Sequence, residues 1–140
     1  MIVVIDTNVV LTMFKPSDSN WRIFQSWAAN RLHWAVSTEI LLEYEEVMAR
    51  MISADYAALA FRTMSTIESA RRTLLRISPS FRFRLIVADP DDDKFADCAI
   101  AAGADWIVTS DHHFDALIGS GYRPQPITPE EFIRQHLGPA

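Results

Sequence analysis

The sequence predicts an α/β fold, a three-layer sandwich with a central parallel sheet. Two stretches, Met1 to Ile5 and Trp106 to Thr109, are apolar without alternation, the pattern of short strands covered on both faces. Each runs out into an aspartate, Asp6 after the first and Asp111 two residues beyond the second. Between such runs lie segments of helical periodicity, and strands that alternate with helices build a parallel sheet packed between helical layers.

The elements follow in order. After the first strand and Asp6-Thr7-Asn8, the mostly apolar Val9 to Phe14 is broken by Lys15-Pro16-Ser17-Asp18-Ser19. A first helix is expected from about Asn20 to Arg31, with Trp21, Phe24 and Trp27 at helical spacing. Leu32 to Val36 is the next strand. Ser37 or Thr38 caps a second helix reaching about Met51, with Ile40, Tyr44, Val47, Met48 and Met51 as its apolar stripe and Glu43 at the border. Ser53 to about Arg76 is helical in composition, Ser78-Pro79-Ser80 breaks it, and Leu85-Ile86-Val87 is expected to be a strand. An acidic helix follows and closes at Gly103. Beyond Asp111, a helix is expected from His112 to Ile118 and an edge strand at Pro126-Ile127. Thr128-Pro129-Glu130-Glu131 reads as a capping box.

With 140 residues, the chain is expected to form one domain, residues 1–140, large enough for a core without staples. The lone Cys98 allows no disulfide within the chain and suits a reducing, cytoplasmic setting. No apolar run approaches the ~20 residues of a membrane span, and no signal peptide is expected at the start. The formal charge of −5 argues for weak non-specific affinity toward polyanions. Two divalent cations would bring that −5 to −1, so acidity does not exclude a metal-dependent enzyme acting on nucleic acid.

The chemistry is concentrated in Asp89-Pro90-Asp91-Asp92-Asp93-Lys94-Phe95-Ala96-Asp97, five carboxylates in nine residues. With Asp89 as N-cap, Pro90 falls at N1, while Asp91 and Asp92 complement the helix dipole. Capping does not account for Asp93 and Asp97. Four residues apart, they share a helix face at roughly 5–6 Å, which destabilises the helix unless something positive lies between them. An EF-hand loop is excluded, because its sixth and twelfth positions would be Lys94 and Ile100 instead of Gly and Glu.

In an open parallel sheet, ligands bind beyond the carboxyl ends of the strands. Asp6 and Asp111 belong at that rim, and the helices carrying Glu43 and Asp93 start there. Singly, Asp6 and Asp111 also fit helix caps. Together, Asp6, Glu43, Asp93, Asp97 and Asp111 form a set that capping does not require. Carboxylates without Cys or His partners suit Mg²⁺ or Mn²⁺. Two such ions about 3.5–4 Å apart clamp the oxygens of a phosphodiester undergoing displacement. Without cations, some of the acids would hold a proton at raised pKa.

Four segments carry a resemblance to a known family. They are Val3-Val4-Ile5-Asp6-Thr7-Asn8, Ser37 through Val47, Asp89 through Phe95, and Ala104 through Asp111. In this order and spacing they resemble the PIN-domain ribonucleases, in particular the toxin components of toxin–antitoxin systems. The resemblance implies strand order 3-2-1-4-5 and catalytic metal ligands at Asp6, Glu43, Asp93 and Asp111, with Asp97 in support. It implies Mg²⁺- or Mn²⁺-dependent hydrolysis of RNA, with Asn8, Thr109 and Ser110 around the site and Thr7 beside them. An antitoxin partner and a homodimer are further implications. The long helical region from Ser53 departs from the commoner toxins.

Other signals are weaker. His112-His113 lacks the partner spacing of a zinc site. The four tryptophans suit core packing better than base stacking. Arg71, Arg72, Arg76, Arg82 and Arg84 form the one basic concentration, readable as an RNA-backbone track or as a solvated flank. Asp6-Thr7-Asn8 resembles the start of an aspartyl-phosphate phosphatase, which requires a second Asp where Asn8 stands. The rival to a nuclease is a non-catalytic PIN-like module that binds nucleic acid or protein.

Overall fold

The computed structural model describes residues 1–139. Five strands form one parallel sheet in the order β3-β2-β1-β4-β5. They are β1 (Ile2–Ile5), β2 (His33–Val36), β3 (Leu74–Arg76), β4 (Trp106–Val108) and β5 (Gln125–Ile127). The helices are α1 (Thr7–Met13), α2 (Trp21–Ala28), α3 (Thr38–Met51), α4 (Ala54–Arg71), α5 (Asp93–Ala102) and α6 (Pro129–Phe132). The result is the three-layer α/β sandwich with the predicted strand order. β1 lies at the centre, with Val3, Val4 and Ile5 wholly buried, which is why its sequence shows no alternation.

A chain of aromatic contacts runs through the core. Trp27 of α2 meets Trp34 of β2 edge-on at 5.0 Å, Trp34 meets Tyr44 of α3 at 5.8 Å, and Tyr44 meets Phe95 of α5 at 6.5 Å. All four rings are fully buried. The polar ends of two find backbone acceptors: the Trp27 indole N–H donates to Thr73 O at 3.1 Å, and the Tyr44 hydroxyl donates to Ile5 O. Ring burial thus ties the helices to the strand that ends in Asp6, and of the three ring donors only the Trp34 indole N–H is left without a partner among the described residues.

Several expectations need correction. The first helix is α1, not the segment from Asn20: the Asp6 carboxylate accepts from Thr7 N, and the chain turns helical at once. The segment at Asn20 becomes the shorter α2. The third strand is Leu74–Arg76, paired with β2 through Trp34, Ala35 and Val36. The long helix stops at Arg71 because Arg72 turns left-handed, at φ 56°, releasing the next residues to extend. Leu85-Ile86-Val87 is not a strand. Val87 is 83% exposed, and Ile86 N–H is spent on a side chain instead of a sheet partner. On α3 the buried stripe is Ile40, Tyr44 and Met48, with Met51 exposed. His112–Leu117 is 3₁₀ in place of α-helix.

The capping chemistry of the other elements follows the residues. Ser37 accepts from Ile40 N at 3.3 Å and Thr128 from Glu131 N at 3.2 Å, each satisfying an orphan helix-terminal donor. Gly103 closes α5 at φ 65°, a conformation that costs glycine little.

Candidate active site

The site forms where the two central strands end. β1 pairs with β4 in the register Ile5 to Val108, so the residues that follow emerge side by side. Asp6 N–H donates to Val108 O at 2.9 Å, which carries the pairing one residue further. The Thr109 hydroxyl donates to Asp6 Oδ2 at 2.7 Å and accepts from Asp111 N at 2.9 Å. One hydroxyl therefore links the acid at the end of β1 to the acid beyond β4. Asp6 is 6% exposed. Burial pushes its carboxyl above the ordinary carboxylate range, against the hydrogen bonds from Thr109 and Thr7, and the charges of Asp111 and Glu43 push the same way.

The third member is Asp92. Asp89 caps a 3₁₀ turn, Pro90–Asp92, by accepting from Asp91 N at 3.1 Å. Asp92 follows one turn later and caps nothing with its side chain. Its Oδ2 is buried and accepts no hydrogen bond among the described residues. Burial first, then the charges of Asp89, Asp6 and Asp111, push this carboxyl up to about 7. His113 stands beside it, with Nδ1 3.7 Å from Asp92 Oδ2 and 3.3 Å from Asp111 Oδ1. Asp89, Asp92 and His113 each present one atom within 4.8 Å of the others.

Glu43 enters from α3. The Thr7 hydroxyl donates to Oε2, and Lys94 Nζ lies 2.8 Å from Oε1. Asn8 and Ser110, expected around the site, are exposed at its rim.

Asp93 and Asp97, expected from the sequence as metal ligands, have backbone partners in the structure. They do share a face of α5, but that face looks onto the segment joining β3 to the acidic turn. Asp93 Oδ1 accepts from Ile86 N at 2.9 Å and Asp97 Oδ1 from Phe83 N at 3.0 Å. The positive partners that relieve their repulsion are backbone amides, with Arg82 nearby. Asp97 is buried, and burial raises its pKa against the Phe83 hydrogen bond. Asp6 and Asp111 lie near enough to Asp92 for their charges to act on it, and Glu43 acts on Asp6 in the same way; Asp93 and Asp97 are engaged by the Ile86 and Phe83 amides instead.

An α-helix that starts at Pro90 puts Asp92 in its first turn, where capping chemistry accounts for it. The 3₁₀ turn delays that start by three residues, and at about 3.0 residues per turn against 3.6 it changes which aspartate faces inward. Lys94 left no signal of its own, and His113 only the His112-His113 pair, whose spacing does not point to this site. Of the basic residues, Arg76 is engaged by Glu68 at 2.8 Å, and Arg82 pairs loosely with Glu39 at 3.5 Å.

A parallel sheet whose two central strands run out into paired acids defines an α/β protein with an acidic site at the carboxyl rim. The PIN domain family model matches residues 2–113, and the chain belongs to that family. No curated protein sequence matches it. Among solved structures it is similar to VapBC2 from Rickettsia felis bound to a DNA fragment from their promoter, with TM-score 0.60 and 16% identity over 90% of this chain and 98% of that one. At that identity the likeness concerns the fold. Among the described residues no helix is long and apolar enough to cross a membrane.

Proposed function

We propose that this PIN domain is a divalent-cation-dependent endoribonuclease, the toxin of a toxin–antitoxin pair. The observation that carries the reading is the meeting of Asp6, Asp92 and Asp111, with a buried oxygen of Asp92 that accepts no hydrogen bond. A donor set of carboxylate oxygens without sulfur fits a hard cation, Mg²⁺ or Mn²⁺. Asp6, Asp92 and Asp111 would hold it, with Glu43 on the Asp6 side. A cation held there would supply positive charge to a phosphodiester and to the oxygens that attack and leave it.

The chain's own residues supply the rest. The Thr109 hydroxyl orients Asp6 and Asp111 together, and Thr7 N–H holds the other Asp6 oxygen at 2.8 Å. Such supporting bonds fix ligand geometry and basicity. Exposed Asn8 and Ser110 provide donors at the rim for a polynucleotide. An antitoxin would present a basic or apolar segment to the acidic crevice. A homodimer and a cytoplasmic setting are part of the same reading.

Calorimetric titration with Mn²⁺ beside a cleavage assay on a broad RNA panel tests the reading. Binding with cleavage, lost together in Asp6→Asn, supports it. Binding without cleavage identifies the non-catalytic module instead. For the toxin assignment, a small partner gene next to this one is the expected observation, and its absence counts against it.

A further inference from the structure

We propose that Lys94 is a built-in counter-ion of the acidic site, holding Glu43 when no cation is bound and competing with a cation for it. The inference rests on the reading of the site as a divalent-cation centre. Both Glu43 oxygens are engaged, one by the Thr7 hydroxyl and the other by Lys94 Nζ at 2.8 Å. The pair is not a loose surface contact, since the Lys94 and Glu43 side chains are 17% and 25% exposed.

The position of Lys94 is the second argument. It lies in the first turn of α5, the positive end of the helix dipole, where a cation is disfavoured. A lysine there needs a compensating anion, and Glu43 supplies it from another helix. Lys94 is also one of only two lysines in the chain.

The two roles oppose one another on electrostatic grounds. A cation that approaches Glu43 meets an ammonium of the same sign, so each weakens the other's hold on Glu43 Oε1. The Thr7 hydroxyl carries no net charge and can stay. Lys94 also lines the groove beside the site that Arg82, Arg84 and Asp97 border, which gives the released ammonium a solvated place to go. Lys94 therefore acts through Glu43 as a positioning residue that sets the cation concentration at which the site loads.

The test is calorimetric titration of the purified chain with Mn²⁺, with circular dichroism melts to show that each variant is folded. Lys94→Met is expected to bind Mn²⁺ roughly three- to tenfold more tightly than the parent, and Lys94→Arg within about twofold of it. In a Glu43→Gln background the effect of Lys94→Met should be clearly smaller, because only direct repulsion between Nζ and the cation remains; an equal effect in both backgrounds overturns the role through Glu43. If Lys94→Met does not fold, Lys94→Gln takes its place. Weaker or unchanged Mn²⁺ affinity in the uncharged variant overturns the inference and leaves the cation site standing. Failure of the parent chain to bind Mn²⁺ at all removes the cation site, and the inference with it.

Discussion

The Thr109 hydroxyl donates to Asp6 across the junction of β1 and β4, at 2.7 Å and in a buried setting, while it accepts the amide of Asp111. Asp6 and Thr109 are 103 residues apart in the chain. The contact makes strand pairing and site assembly one event, since the acids meet only when the two central strands lie in register.

That coupling gives the first prediction. Thr109→Val removes both bonds while nearly keeping shape, leaving a buried Asp6 oxygen without its donor. Urea denaturation should show a loss of about 2 kcal/mol. RNA cleavage should fall roughly 10- to 100-fold, the usual cost of a lost supporting partner. Thr109→Ser, which restores the hydroxyl, should recover most of both.

Asp6→Asn should lower cleavage on the order of 10²-fold or more, by removing charge where the reaction develops it. Its fold should persist, because Asn Oδ1 still accepts from Thr7 N, its Nδ2 can donate to the Thr109 hydroxyl oxygen, and repulsion with Asp111 and Glu43 is relieved. A far-ultraviolet spectrum and melting temperature at or above those of the parent, beside full activity, would refute the proposed role.

The neighbours Asp92 and Asp93 should part company. Asp92→Asn is expected to abolish cleavage at little cost in stability, since its side chain caps no helix and its Oδ2 accepts no hydrogen bond. Asp93→Ala is expected to cost about 1 kcal/mol, by leaving Ile86 N–H without an acceptor, while retaining cleavage. Cleavage assays and denaturation curves on the two variants decide the assignment. The opposite pattern would return the catalytic role to Asp93.

The raised carboxyls set a pH dependence with a definite sign. Asp92 titrates at about 7 in the folded chain against an ordinary 3.8, and Asp6 and Asp97 are raised as well. Between those values the folded chain holds protons that the unfolded chain has lost. This stabilisation is complete below 3.8 and disappears as pH rises through about 7. Asp105 is held below 3.8 by Ile2 N–H and Arg123, so it acts only under that window. In chelator, the melting temperature should therefore decline from about pH 5 to about pH 8. Saturating Mn²⁺ should reverse the trend, because cations bind the deprotonated acids. A cation-free melting temperature that climbs over the same range would contradict the proposed clustering.

The sequence by itself determined the fold class and most of its frame. Unalternated apolar runs marked β1 and β4, and Ser37 and Gly103 marked helix ends, because sheet burial and capping act on residues within a few positions of one another. The same local logic placed Asp6 and Asp111 at the strand rim. The tertiary structure decided the rest. The pairing of β3 with β2, the approach of Asp92 to Asp6 and Asp111, the use of Asp93 and Asp97 to hold Ile86 and Phe83, and the Lys94–Glu43 pair all depend on atoms distant in the chain or on a 3₁₀ turn that shifts a helix by a fraction of a turn. A carboxylate's type is written in the sequence; the partner that defines its role is supplied by closure of the chain around it.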